Sequence, residues 1–155
     1  MSDRPVRSAA GPVVIAYDGS ELSRRGIEEA GELLTPGRQA VVVCVWEPFD
    51  LGFVPVDDEP FDAEDAAAVR AAAERTAAAG AALADAAGFR SESLAIDTAP
   101  AWKGIVQLAD ERDASVIVLG SHGRSGLASV LVGSVAGAVA AHSHRTVLIA
   151  HATGE

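Results

Sequence analysis

The hydrophobic positions of the chain are concentrated in short stretches that are rich in β-branched residues. Four of them, residues 12–18, 40–48, 114–120 and 146–150, are almost continuously apolar, and a weaker fifth, residues 91–97, alternates. Continuous apolar runs of this length are typical of strands that are buried on both faces of a parallel sheet. The pattern therefore predicts five strands, most of them covered by helices on both sides.

Stretches with helical spacing separate these strands. Ser20 is a favoured N-cap residue, and apolar residues follow it at roughly helical spacing until Pro36 and Gly37 end the pattern. A long alanine-rich stretch is weakened in its middle by Gly80 and ended by Gly88. The predicted helices comprise residues 21–34, 62–87, 101–112 and 134–142.

The order of these elements is βαβαβαβαβ, which predicts right-handed crossovers and a parallel sheet between two helix layers, a three-layer α/β sandwich. In open sheets of this kind, ligands bind beyond the carboxyl ends of the strands, where the strand order reverses. The 155 residues have the size of one domain, with an ordered core expected over about 12–151. Residues 49–61 have the composition of a surface loop.

Composition and charge exclude several classes of protein. Hydrophobic residues make up 49% of the chain and charged residues 22%, which is enough for a substantial core. The net charge of −10 argues against nucleic-acid binding, because phosphate neutralisation needs a basic surface. No apolar run has the length of a membrane span, and the N-terminus has no signal-peptide pattern, so we expect a cytoplasmic protein. Cys44 is the only cysteine, so an intramolecular disulfide is excluded.

The stretch GSHGRSGLASVLVGS, residues 120–134, is the candidate ligand site. Gly120, Gly123 and Gly133 punctuate it, and Ser134 stands where the last helix is predicted to begin. A helix N-terminus presents unpaired N–H groups, and glycines let the backbone approach an anion closely. Arg124 is its only charged residue. The stretch therefore predicts a phosphate site, in which the Ser134 hydroxyl either donates to the anion or caps the helix.

Other phosphate and catalytic motifs are missing from the sequence. The P-loop pattern G-x-x-x-x-G-K-[ST] is absent, since the only lysine is Lys103, and so are G-x-G-x-x-G and the nucleophile pattern G-x-S-x-G. For His122 the expected role is an exposed loop histidine, and contact with phosphate is the alternative. A P-loop, a dinucleotide-binding loop and a nucleophile elbow are thus excluded as explanations of the glycine-rich stretch.

The spacing G-x-x-G, nine residues, then G-S resembles the universal stress protein family, whose nucleotide-binding members carry G-x-x-G-x9-G-[ST] after the fourth strand. The stretches VVIAYDGSELSRRGIEEA, AVVVCVWEP and TVLIA are similar to the family's first strand and helix, second strand and last strand. The resemblance spans about 12–151. It implies an adenine nucleotide alpha hydrolase-like, Rossmann-like fold with a five-stranded parallel sheet in the order 3-2-1-4-5.

The resemblance also implies that ATP lies across the carboxyl ends of the first and fourth strands. Asp18 would then lie near the ribose and phosphates or a Mg²⁺, although a turn-forming role in Asp-Gly-Ser remains an equal alternative. Val45 would contact adenine through its backbone, and Gly120 would lie by the ribose. The residues that would hold the phosphates or balance their charge are Gly123, Arg124, Gly133 and Ser134.

Two positions depart from the family pattern. Thr98 stands where many members have a glycine, and Thr146 stands where they have a proline in the last strand. Neither position is expected to contact phosphate. These departures leave the predicted fold unchanged.

Three functional hypotheses follow. The first is an ATP-binding stress-response or regulatory protein with at most weak ATP hydrolysis, because no general base is present near the expected phosphates. The second is a protein of the same fold that binds no nucleotide and acts through its dimer surface. The family usually dimerises, and the apolar edge strand 146–150 predicts a homodimer. The third, a related ligase or a flavodoxin, is disfavoured because DGSELS matches neither phosphate loop.

Overall fold

The computed structural model describes residues 11–46, 63–122 and 132–153. The predicted loop 49–61, Gly123 and Arg124 lie outside these ranges. Over the described ranges the chain forms the elements β1 Val13–Ala16, α1 Glu21–Leu33, β2 Gln39–Trp46, α2 Ala63–Ala86, β3 Arg90–Asp97, α3 Ala101–Glu111, β4 Val116–Gly120, α4 Ser134–His142 and β5 Thr146–Ala150.

The five strands form one parallel sheet in the order β3-β2-β1-β4-β5. In the central strand, Val14 lies beside Val41 of β2 and Ile117 of β4. The predicted fold class and strand order are therefore confirmed. Each predicted strand has its counterpart, and β1 is shorter than predicted because the chain leaves the sheet after Ala16.

Side chains of successive strand residues pack on opposite faces of the sheet. Val13 and Ile15 of β1 contact a core cluster that includes Ile27 of α1 and Ala84 of α2. Val14 belongs to the opposite cluster, which contains residues of α3 and α4. Because both faces are covered, the strands read as continuous apolar runs rather than as alternating ones. The sandwich thus places α1 and α2 on one face and α3 and α4 on the other.

The helix ends follow from local chemistry. The Ser20 side chain accepts a hydrogen bond from the Ser23 amide, which confirms Ser20 as the N-cap of α1. After α1 and α2 the chain turns at Gly37 and Gly88, whose φ angles of +84° and +103° lie in the left-handed region that glycine adopts most readily. Within the described ranges, no helix combines the length and the apolar character that crossing a membrane requires.

Arg145 fixes the start of β5 against the end of α3. Its guanidinium, whose side chain is 14% exposed, donates to Asp113 Oδ1 at 2.7 Å, Asp110 Oδ1 at 3.1 Å and the Ala114 carbonyl at 3.0 Å. The hydrogen bond to Asp113 raises the pKa of the Arg145 guanidinium above its ordinary value. These contacts tie β5 to the turn that precedes β4.

Gly80 lies in the middle of α2, where the helix continues without a break. A Cβ at this position would lie 2.5 Å from Tyr17 Cδ1 and 2.8 Å from Val42 Cγ1. The absence of a side chain therefore allows α2 to pack closely on the end of β1 and on β2. The glycine lowers helix propensity, but the packing of the sheet requires it.

We predict that Gly80→Ala destabilises the protein by about 1–3 kcal/mol, because the added methyl group overpacks this contact despite its better helix propensity. Gly137→Ala in α4 is the matched control, since the nearest atom to its Cβ would be Val132 Cγ1 at 3.9 Å. This control should stabilise the protein by about 0.5–1 kcal/mol. Urea unfolding of both variants measures the difference. Equal stabilisation by both would show that the Tyr17 contact imposes no constraint.

Candidate functional site

The candidate site lies at the carboxyl edge of the sheet, between β1 and β4. The helix that follows β1, α1, packs on one face of the sheet, and the helix that follows β4, α4, packs on the other, so the strand order reverses between these strands and a ligand crevice is expected there. The predicted site residues that the structure describes all lie on this edge, at or beyond the carboxyl end of a strand: Asp18, Val45, Gly120, Gly133 and Ser134. Gly123 and Arg124 lie outside the described residues.

Asp18 forms a hydrogen-bonded turn that begins α1. Its Oδ1 accepts from the Ser20 amide at 2.9 Å and from the Ser23 hydroxyl at 2.9 Å. Gly19 between them has a φ of +84°. The carboxylate thus acts as the acceptor of an Asx turn, so Asp18 does form the turn, and its contact with a ligand stays a prediction. It lies half-buried at the crevice.

Gly120, the last residue of β4, is where α1 approaches the sheet most closely. A Cβ here would lie 2.8 Å from the Leu22 carbonyl carbon and 3.0 Å from the Ser23 amide nitrogen, both backbone atoms. Packing within the protein therefore requires a glycine at this position. The close approach places the Asp18 turn beside the end of β4.

Gly133 performs a similar role for α4. It is the N-cap of this helix, its N–H donates to the Ser121 carbonyl, and a Cβ would lie 2.9 Å from that same oxygen. The alternative that Ser134 caps the helix is wrong, because Ser134 is the first helical residue and is exposed. A glycine N-cap has no side chain to satisfy the first-turn amides. The N-terminus of α4 consequently offers unpaired donors and the positive end of its dipole.

The backbone of Val45 faces the crevice. The Val43 carbonyl accepts from Tyr17 on the β1 side, and the Trp46 carbonyl accepts from Thr98 on the β3 side. Because the backbone N–H and C=O groups of successive strand residues point to opposite neighbouring strands, those of Val45 point to the β1 side, as those of Val43 do. The last residue of β1 in register with β2 is Ala16, which is opposite Val43, so Val45 lies beyond the end of β1.

Sequence reasoning considered His122 but missed the burial of Ser121 and of the His122 ring nitrogen, and the hydrogen bond between the two residues. Ser121 is 1% exposed, its N–H donates to the Ala150 carbonyl, and its hydroxyl lies 3.1 Å from His122 Nδ1. His122 Nε2 is buried without a hydrogen-bond partner in the part of the chain that the structure describes. The expectation of an exposed loop histidine is therefore wrong for the ring nitrogen Nε2, which is buried. No sequence pattern signals this burial, because it depends on α4 folding back against β4.

Two surface grooves lie elsewhere. One, of about 540 Å³, borders the amino ends of β2 and β3, and the other, of about 700 Å³, lies between α2, α3 and β3. Neither is lined by Asp18, Gly120 or Gly133. The β1–β4 crevice is the better candidate site, since unpaired backbone donors and a carboxylate come together there.

The sequence matches the profile of the universal stress protein family over residues 10–151. This chain belongs to the universal stress protein family. No curated protein sequence matches it significantly.

Solved structures of this family share the fold. Hypothetical protein MJ0577, the subject of a structure-based assignment of biochemical function, is 20% identical with a TM-score of 0.78, and the match covers 95% of this chain and 99% of that one. A universal stress protein in complex with cAMP is 28% identical with a TM-score of 0.65, covering 91% and 96%. A universal stress protein from Archaeoglobus fulgidus in complex with dAMP is 23% identical with a TM-score of 0.58, covering 90% and 97%.

We predict that Asp18→Ala lowers the free energy of unfolding by about 1 kcal/mol, because the turn before α1 loses its acceptor. Asp18→Asn keeps an acceptor oxygen where Oδ1 lies and should lose less than half as much. Both values come from urea unfolding. If both variants lose the same free energy of unfolding, the charge of the carboxylate stabilises the protein and its hydrogen bonds in the turn do not.

Proposed function

We propose that this protein binds ATP in the crevice between β1 and β4, and that occupancy of the crevice regulates a stress response. The observation that carries the proposal is the N-terminus of α4, which a glycine rather than a polar side chain caps, at the carboxyl end of β4. Such an N-terminus favours phosphate groups. Relatives of the same fold in complex with cAMP and dAMP support an adenine nucleotide as the ligand.

In this proposal the phosphates contact the first turn of α4 at Gly133 and Ser134. Local donors must hold them, because the net charge of −10 repels an anion at long range. Gly123 and Arg124, adjacent in sequence to this edge, complete the phosphate site as further amide donor and counter-charge. The ribose lies by Gly120, and adenine contacts the backbone of Val45.

A Mg²⁺ ion would enter together with the phosphates. In the described residues, no three His, Cys, Asp or Glu side chains are close enough to form a metal site. Mg²⁺ commonly takes one or two carboxylates and fills its remaining positions with water and substrate phosphates. Asp18 fits that pattern as the single carboxylate, and the ion would balance the charge of the triphosphate.

The same residues favour binding over hydrolysis. Asp18 is the only carboxylate between β1 and α1, and the sequence between β4 and α4 contains no Asp or Glu and one histidine, His122. Lys103, the only lysine, lies on α3, 5.8 Å from the Trp102 ring centroid. We therefore propose a single-domain ATP-responsive module with at most weak ATP hydrolysis.

We predict that Ser134→Glu lowers ATP affinity at least tenfold, because a carboxylate in the first turn of α4 repels phosphate. The same charge favours the helix dipole, so stability should stay equal or rise. Alanine variants of Gly120 and Gly133 are unsuitable, since their Cβ atoms would meet backbone atoms at 2.8 and 2.9 Å. Titration calorimetry with Mg²⁺ and ATP, on protein stripped of nucleotide, measures the affinity.

Ala140→Glu is the control for this prediction, because it adds the same charge to an exposed position late in α4. It should bind ATP within about twofold of the original protein, since a Debye length of about 8 Å screens exposed charges. Unchanged ATP affinity in Ser134→Glu would show that the phosphates do not contact the first turn of α4. If the original protein binds no ATP, the second hypothesis, a family member that acts without nucleotide, replaces this proposal.

We also propose a homodimer through β5. This strand is at an edge of the sheet, with β4 as its only neighbour in the strand order. The Ala150 carbonyl accepts from Ser121 on the β4 side, so alternation directs the polar groups of Val147 and Ile149 to the outer edge. An open apolar edge of this kind favours pairing with a second copy.

We predict that Val147→Pro gives a monomer, because proline removes an N–H from the outer edge of β5 without removing a bond to β4. Val147→Ala keeps that N–H and should stay dimeric. Sedimentation and light scattering report the mass, and circular dichroism checks the fold. A dimer in Val147→Pro places the interface elsewhere on the molecule.

A further inference from the structure

The pair Ser121 and His122 contains a hydrogen-bond donor without an acceptor. Ser121 is 1% exposed, and the hydrogen of a buried hydroxyl is satisfied only when it points to an acceptor of the protein. Among the described residues, the only atom within hydrogen-bond distance of this hydroxyl is His122 Nδ1, at 3.1 Å. A nitrogen that accepts a hydrogen bond carries no hydrogen. In neutral His122 the hydrogen is therefore on Nε2.

This assignment makes His122 Nε2 a buried donor. The atom has no partner in the described ranges, and burying an unmatched donor is unfavourable. Such a group in a native structure needs an explanation, and a bound ligand that supplies the missing partner is one. The missing partner must be a hydrogen-bond acceptor.

The position of the imidazole identifies where that acceptor would lie. A Cβ on Gly133 would be 3.5 Å from His122 Cα and 3.6 Å from His122 Cδ2, the ring carbon bonded to Nε2. The Cδ2 atom of the ring, the neighbour of Nε2, thus lies beside the N-cap of α4. The unpaired amides of the first helical turn are donors as well. The imidazole N–H and the helix amides are all donors, and no acceptor among the described residues pairs with them. A ligand oxygen that carries no hydrogen, and so only accepts, would fit this arrangement.

We propose that His122 donates its Nε2–H to a phosphate oxygen of the bound nucleotide, and that Ser121 is a positioning residue that holds the hydrogen on Nε2. The inference rests on the proposed function and adds a binding residue and a ligand feature to it. A nucleotide with phosphate gains this bond, whereas adenosine, which has only hydroxyls and ring nitrogens, does not.

The first arm of the test is the hydrogen position in the ligand-free protein. Long-range ¹H–¹⁵N NMR at about pH 8.5, above the ordinary histidine pKa, distinguishes an Nε2 that carries hydrogen from one that does not. We expect hydrogen on Nε2 in the original protein and a mixture of the two tautomers in Ser121→Ala. Hydrogen on Nδ1 in the original protein would overturn the inference whatever the variants do.

The second arm is the affinity for ATP, AMP and adenosine by calorimetry. His122→Phe keeps the ring shape without a donor and should bind ATP and AMP about tenfold more weakly or worse, because a hydrogen bond to a charged group is lost. His122→Gln keeps a donor at the Nε2 position and should remain within about threefold. Adenosine should bind all variants alike. Melting temperatures confirm that each variant is folded.

The outcomes separate this inference from the function on which it rests. If the original protein binds ATP and His122→Phe binds it equally well, ATP binding stands and the role of His122 is wrong. A uniform loss that includes adenosine would assign His122 to the shape of the site, which also overturns the inference. Failure of the original protein to bind any phosphorylated nucleotide rejects both proposals together.

Discussion

Two helices approach the carboxyl end of β4 so closely that no side chain fits between them and the strand. At Gly120 the backbone of α1 fills the space that a Cβ would need, and at Gly133 the carbonyl of Ser121 does so for α4. These contacts bring the loop after β1, the end of β4 and the first turn of α4 to one place. At both positions this close approach is possible because the chain presents bare backbone. Close-packed interiors do not accommodate an added methyl group without displacement, so the two glycines are structural requirements first.

The two helices that border the crevice begin in opposite ways. The first turn of α1 is satisfied by its own sequence, since Ser20 caps it and Asp18 accepts from both Ser20 and Ser23. No side chain of the N-cap residue accepts a hydrogen bond from the first turn of α4, because that residue is Gly133. The unpaired donors of the site are therefore concentrated at α4. An anion is expected there and not at α1, where a carboxylate already occupies the N-terminal turn.

The acidic charge of the chain makes this local arrangement necessary. With a net charge of −10, the protein repels phosphates at a distance, so any affinity for phosphate must come from short-range donors such as backbone amides. Neutral amides suit this role because they add no charge that the fold would have to balance.

The sequence by itself determined the element order, the parallel sheet and most element bounds, because apolar periodicity and turn residues are local. It predicted the fourth helix, residues 134–142, with the bounds that α4 has, and it placed Ser20 correctly as a cap. The strand order and the family came from the glycine spacing and its resemblance. Only the tertiary structure decided what the glycines do and that Gly133, not Ser134, begins α4 as its cap. It also decided that Nε2 of His122 is buried. These features depend on helices packing against strands that are distant in sequence, and no local pattern encodes how closely two such elements meet.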